Sequence, residues 1–207
     1  MTEKDIESRL LFKAAPIEGA RQVVLGGAEY PARLSGRLGQ GAPKTLNVLG
    51  PVAALSMPMT AFLCSKETPG STILRAFDQA AAWRDAGTCV VSGFHSPMEQ
   101  ECLEILLRGK QPVIWMLARA LTRPRLSPSQ RKAFEDGRLT IVSAFGEGET
   151  RTTADLARKR NRFAAAMSEQ VCFAHIRAGG RLDALSTELA TWGVPAFTLD
   201  QIEGARK

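Results

Sequence analysis

The chain is poor in the residues that most enzyme chemistry needs. It has only two histidines, His95 and His175, and four cysteines scattered singly at Cys64, Cys89, Cys102 and Cys172. No CxxC pair occurs, so neither a zinc site nor a disulfide framework is expected. The apolar surroundings of the thiols suit buried free cysteines in a reducing cytoplasm. Two histidines leave little room for a Ser–His–Asp triad, and no GxSxG elbow is present. No GxGxxG opens the first βα unit and no GxxxxGK[ST] occurs, so ordinary dinucleotide and P-loop binding lose support and no cofactor is expected. The charged start MTEKDIESRL has no signal-peptide core, and no apolar run approaches a membrane span. A cytoplasmic protein without a membrane partner and without internal repeats is the expectation.

What the chain does have is enough apolar material for a sizeable core: 207 residues, 44% of them hydrophobic. The net charge of +6 is compatible with a nucleic-acid or nucleotide partner. Residues 1–42 read as a leader packed on the main body, with a short helix around Ile6, Leu10 and Leu11 followed by a loop rich in Gly, Pro and Arg. From 43 to 207 strand and helix signals alternate. Strands are expected at Thr45–Leu49, Ala61–Cys64, Cys89–Val91, Pro112–Met116, Leu139–Ser143, Val171–Ala174 and Ala196–Leu199. Helices are expected at Ser71–Ala86, Pro97–Leu107, after Ser127 or Ser129, Thr153–Met167 and Arg181–Trp192. Short apolar runs separated by helices are what a parallel sheet buried on both faces demands. The fold class is therefore a doubly wound α/β domain, its sheet mostly parallel with helices on both faces, and its ligand belongs beyond the carboxyl ends of the strands.

Four groups could carry function. Ser65 and Lys66 stand at a strand tip before a helix, where they suit phosphate contact, though a plain turn with a solvated lysine reads equally well. Ser92-Gly93 ends the next strand, and Ser96, Pro97 and Glu99 spell a capped helix start. Gly93 frees the backbone there, the helix start offers an anion site, and His95 could donate to the anion. On the helix through Arg158-Lys159-Arg160-Asn161-Arg162, Leu156, Phe163 and Met167 form the apolar line. Arg160 falls on that line, while Arg158 and Arg162 point to an opposite, solvated basic face. A buried arginine is costly unless an anion or carboxylate meets it, so Arg160 is the strongest single candidate. Gly179-Gly180 opens the last helix, allowing close approach to phosphate or merely a sharp turn.

In this order the loops resemble the Rossmann-like core of the DNA-processing protein A (DprA, or Smf) family, which is related to the cytokinin-activating LOG enzymes. The resemblance runs from about Tyr30 to Asp200. Tyr30-Pro31 with Leu34 resembles the family's YPxxL lead-in, and Cys64-Ser65-Lys66 stands at its Gly-Ser-Arg. Ser92-Gly93 matches its Ser-Gly, Glu99 its Gly-Ile-Asp aspartate, and Gly109-Lys110 its Gly-Lys. Ser143 with Glu147 is loosely similar to its Ser-Glu segment. Arg160-Asn161-Arg162 matches the Arg-Asn-Arg helix, and Gly180 with Leu182 fits its Ser-Gly-Ser-Leu turn.

That resemblance implies a non-enzymatic protein gripping the backbone of single-stranded DNA, with Lys66, Lys110 and Arg160 converging on one phosphate site. It also implies homodimers and a RecA-type recombinase partner in natural transformation. Departures are present: Lys66 for the family's arginine, Ser96-Pro97 for Arg-Gly, Leu103 for a histidine, His175 for a glutamate. No C-terminal winged helix is expected before Lys207. A nucleotide sensor or nucleotide hydrolase on the same scaffold is the alternative, with Glu99 as general base. The PGGxGTxxE pattern of the LOG hydrolases is absent.

Overall fold

A computed structural model of the chain describes residues 19–65 and 69–199. Among these, six α-helices flank an eight-stranded sheet. In chain order the elements are β1 (Ala20–Val24), α1 (Ala32–Leu38), β2 (Thr45–Leu49), β3 (Met59–Leu63), α2 (Gly70–Ala86), β4 (Cys89–Ser92) and α3 (Pro97–Leu107). They continue with β5 (Val113–Leu117), α4 (Pro128–Glu135), β6 (Leu139–Ser143), α5 (Ala154–Met167), β7 (Gln170–Phe173), α6 (Arg181–Thr191) and β8 (Ala196–Thr198).

The sheet order is β1-β2-β6-β5-β4-β3-β7-β8. Six strands, β6 through β8 in that order, pair in parallel, and β2 and β1 extend the sheet antiparallel beyond β6. Every residue of β3, β4 and β6 is buried, which requires cover on both faces. Alternate residues serve opposite cores. Ala61, Leu63, Val91, Ile114, Met116 and Val142 meet α1, α5 and α6 on one side. Phe62, Val90, Val113, Leu139, Ile141 and Cys172 meet α2, α3 and α4 on the other.

From β3 to β6 the chain steps across the sheet in one direction. Helix α5 then carries it back over β5, β4 and β3 to start β7 on the far side of β3. The reversal between β3 and β7 is the topological switch at which open α/β sheets hold ligands. At that point Ser65 Oγ donates to the carbonyl of His175 at 3.0 Å, and Ala174 N donates to Leu63 O at 2.9 Å, so the two strand ends are tied together.

Residues 19–42 hold more regular structure than the expected loop. β1 pairs with β2, and α1 packs on α5, with Arg37 donating to the carbonyls of Ala166 and Ser168 at the end of α5. The expected helix around Ile6–Leu11 lies outside the described residues. No helix of the described residues is long and apolar enough to cross a membrane.

Candidate functional site

The helix starts and turns expected to bind an anion form as anticipated, but their donors are taken by the protein's own carboxylates. At α3, Ser96 Oγ accepts from Glu99 N at 3.2 Å, and Glu99 Oε2 accepts from His95 N at 3.2 Å and Ser96 N at 2.8 Å. Glu99 Oε1 also accepts from Ser92 Oγ at 3.4 Å. Glu99 is thus buried and committed to capping, which removes it as a free general base. At α6, Asp183 Oδ2 accepts from Gly179 N at 2.8 Å and Gly180 N donates to Arg177 O at 2.9 Å. The double glycine is a turn closed by the helix's own aspartate.

Arg160 is different. It reaches from α5 to the carboxyl ends of β4 and β5 and keeps only 5% of its surface exposed. Its Nη1 donates to Met116 O at 3.4 Å, a long bond, and its Nε is buried with no hydrogen-bond partner. No carboxylate lies within 4.0 Å of it among the described residues. Burial pulls its pKa below the usual guanidinium range, and the charge of Glu99 opposes that only in part. A guanidinium cannot escape the cost by losing its proton at neutral pH. A buried cation with a donor to spare is therefore an open demand for a negative partner.

The space for that partner lies beside it. A pocket of about 190 Å³ is lined by Gly93, Phe94, His95, Gln100, Trp115, Leu117, Ala118, Arg119, Thr152 and Arg160. Gly93 is needed because a Cβ there would stand 0.9 Å from Arg160 Nη1. The next residue, Phe94, holds φ at +42°, in the left-handed region that costs a side-chain-bearing residue about 1–3 kcal/mol. Its ring, buried in the core under α2 and α3, secures the turn. Trp115 Nε1 donates to Gly93 O at 2.9 Å and fixes the same loop from β5. Arg119 extends the wall, its Nη1 donating to Thr122 Oγ1 at 2.8 Å.

Of the residues expected to form the site, Gly93, His95 and Arg160 line this pocket, and Ser92, which precedes Gly93 at the end of β4, does not line it and donates to Glu99. Asn161 is half-buried on α5 and Ser65 sits at the β3–β7 tie; neither lines it. Lys110 precedes β5 and so stands at the amino edge of the parallel strands, opposite the pocket. It does not converge with Arg160. Gly179 and Gly180 do not line the pocket either, and Lys66 lies outside the described residues. Arg162 is not on a solvated face: its Nε and Nη2 grip Glu188 of α6 at 2.6–2.9 Å, and its guanidinium lies 5.5 Å from the Trp192 ring centre. Trp115, Gln100, Arg119 and Thr152 escaped the sequence reading. Arg119, just past the end of β5, carried a usable signal in its strand-end position. Trp115, inside an apolar strand, carried none. Among the described residues no cluster of His, Cys, Asp or Glu could hold a metal.

Comparison with known proteins joins this geometry to a family. No curated protein matches the chain. The fold is shared with DNA processing protein A from Streptococcus pneumoniae at 17% identity and a TM-score of 0.71, over 95% of this chain and 66% of that one. The chain therefore spans just under two thirds of the pneumococcal protein. It is similar too to DNA processing protein A from Helicobacter pylori, whose structure describes a unique single-stranded DNA binding mode. There the identity is 16% and the TM-score 0.67, over 86% of this chain and 80% of that one. The sequence model for the DNA recombination-mediator protein A family matches residues 21–194. The chain, with its arginine-floored pocket at the strand ends, belongs to the DNA recombination-mediator protein A family.

Proposed function

We propose that this protein binds single-stranded DNA through its sugar-phosphate backbone, with Arg160 as the buried phosphate contact. The observation that carries the reading is the unpartnered Nε of Arg160 beside an open pocket. A phosphate oxygen entering there supplies the missing acceptor and the missing charge, and charge-assisted bonds of this kind are the strong ones. Gly93 admits the guanidinium, Trp115 holds the Gly93 carbonyl, and His95, Gln100, Arg119 and Thr152 offer polar groups around the rim. Lys66, at the β3 end, is proposed as a further phosphate contact. Ser65, Ser92, Asn161, Gly179 and Gly180 are assigned supporting positions around the strand ends rather than direct contacts.

The pocket's size favours a backbone segment over a whole nucleotide. At about 190 Å³ it lies below the range of about 300–1,000 Å³ typical of sites that bury a small organic ligand. Glu99, the base that a nucleotide hydrolase would need, is occupied in the α3 cap. As in the family at large, the proposed setting is a cytoplasmic homodimer that passes DNA to a RecA-type recombinase. Analytical ultracentrifugation and pull-down with that recombinase check those two partners.

Fluorescence anisotropy with a labelled oligothymidine tests the central proposal. Arg160→Ala is expected to weaken binding by about 10- to 100-fold, from the 1.5–3 kcal/mol of a charged hydrogen bond. Affinity should fall with salt at a log–log slope of about −0.7 for each phosphate contacted. Unchanged affinity and slope in both Arg160→Ala and Lys66→Ala chains overturn the reading. Calorimetry with AMP and NAD, expected to show no heat, separates it from nucleotide sensing.

A further inference from the structure

From Ile105 to Phe134 the chain contains no aspartate or glutamate, yet it carries Arg119, Arg123, Arg125, Arg131 and Lys132 after the β5 strand begins. The segment between β5 and α4 leaves the sheet at its carboxyl edge, beside the pocket that Arg119 helps to line. Arg123 and Arg125 are exposed. Among the described residues neither these two nor Arg119 comes within 4.0 Å of a carboxylate. Among the basic residues outside the segment, Arg21, Arg33, Arg84, Arg138 and Arg158 have acidic partners, and at the segment's far end Lys132 pairs with Asp136.

The segment is also anchored. Ala120 N donates to Glu149 O at 2.7 Å, and Ser143 Oγ donates to Arg119 O at 2.6 Å. At its far end Ser127 caps α4 in a reciprocal box with Gln130, and Ser127 and Ser129 both donate to Glu104 on α3. Between the anchors, Pro124 fixes its own φ and disfavours a helical conformation at Arg123. Arg123 and Arg125 thus flank a stiff step whose ends are at most about 7 Å apart, the scale of one step along an extended nucleic-acid strand. From Arg119 to Arg123 the chain can span at most about 14 Å. Concentrated positive charge without counter-ions costs the compact state through self-repulsion, and it is continuous here with an anion-demanding pocket.

We propose that the β5–α4 segment is a second phosphate-binding subsite, in which Arg123 and Arg125 receive the backbone of single-stranded DNA as it leaves the Arg160 pocket past Arg119. The proposal rests on the backbone-binding reading above. It assigns the strand a direction of exit, over β5 and β6 rather than over β3 and β7.

The test uses the full chain with labelled oligothymidines of about 4 and about 20 nucleotides, lengths that bracket common single-strand site sizes. In the Arg123→Gln/Arg125→Gln chain the longer probe should bind about tenfold or more weakly. Its log–log salt slope should be shallower by about 1.4, at about 0.7 per lost contact. The shorter probe, held by the pocket, should bind as to the parent. A control pair, Arg108→Gln/Lys110→Gln at the opposite edge of the sheet, should leave both probes unaffected. The proposal is overturned if the longer probe keeps the parent affinity and slope, or if the control pair weakens it equally. If Arg160→Ala leaves the short probe bound as tightly as the parent does, the pocket reading itself falls, and the segment loses its role as an exit. Both positions are exposed, so thermal melts of the variants should match the parent and keep the comparison clean.

Discussion

Two residues apart on α5, Arg160 and Arg162 carry the same guanidinium into different company. Two residues turn a helix by about 200°, so the side chains leave on opposite flanks. Arg162 finds Glu188 in a fork of three hydrogen bonds and lies over Trp192, joining α5 to α6. Arg160 finds one distant carbonyl, a glycine with no side chain to obstruct it, and an open pocket. One charge is consumed by the fold. The other has no carboxylate within reach among the described residues, and it is the group proposed above to meet a phosphate.

The sharpest way to break this contrast is at the glycine. Gly93→Ala places a methyl on the position of Arg160 Nη1, so the guanidinium must leave. A loss of DNA affinity of about 100-fold or more is expected, equal to deleting both a charged contact and its seat. A titration in which the Gly93→Ala chain binds like the parent would show that the guanidinium can work from elsewhere.

Next in size is Arg160→Met, which keeps the apolar stem and removes the unpaired charge. Binding should fall by about 10- to 100-fold, yet the protein should become more stable, by about 1–3 kcal/mol, because replacing buried charge with a fitted hydrophobe is commonly stabilising. At about 2–4 °C per kcal/mol for a chain of this size, a differential scanning melt reads the gain. A lower melting temperature would mean that Arg160 supports the fold as Arg162 does.

The mirror experiment is Arg162→Ala. It should cost about 1–2 kcal/mol of stability through the lost fork and the lost stacking on Trp192, with DNA affinity unchanged. A double-mutant cycle with Glu188→Ala should return a coupling of about 1 kcal/mol. The smallest expected effect is that of pH. Burial lowers the pKa of Arg160 from its ordinary value, but a guanidinium stays protonated far above neutrality. Binding that depends on Arg160 should therefore be level from about pH 7 to about pH 9, and a drop across that window would move the main contact to another group.

The central strands were legible because each is buried on both faces, leaving unbroken apolar runs such as MTAFL and LTIVS. The starts of α3 and α4 were legible because Ser-Pro with a carboxylate or amide three residues after the serine is local chemistry. β1 left no pattern, since only Val23 of its five residues is buried and its partner β2 supplies the order. Lys110 was placed wrongly for a related reason. A lysine before a strand and one after a strand look alike in one dimension, while parallel topology sends them to opposite edges of the sheet. Arg162 read as solvated because its partner Glu188 lies on the next helix but one strand away, beyond any helical spacing rule.

From its residues alone this chain could announce an α/β sheet covered on both faces and an arginine set among apolar neighbours, because burial and periodicity are imprinted locally. Whether that arginine would be neutralised inside the fold was decided only when α5 crossed back over β5, β4 and β3. That crossing brings Arg160 against Gly93 and Trp115, which are far from it in the chain, and leaves Arg162 to Glu188. Charge compensation is a property of distance in space, and the tertiary fold alone sets those distances.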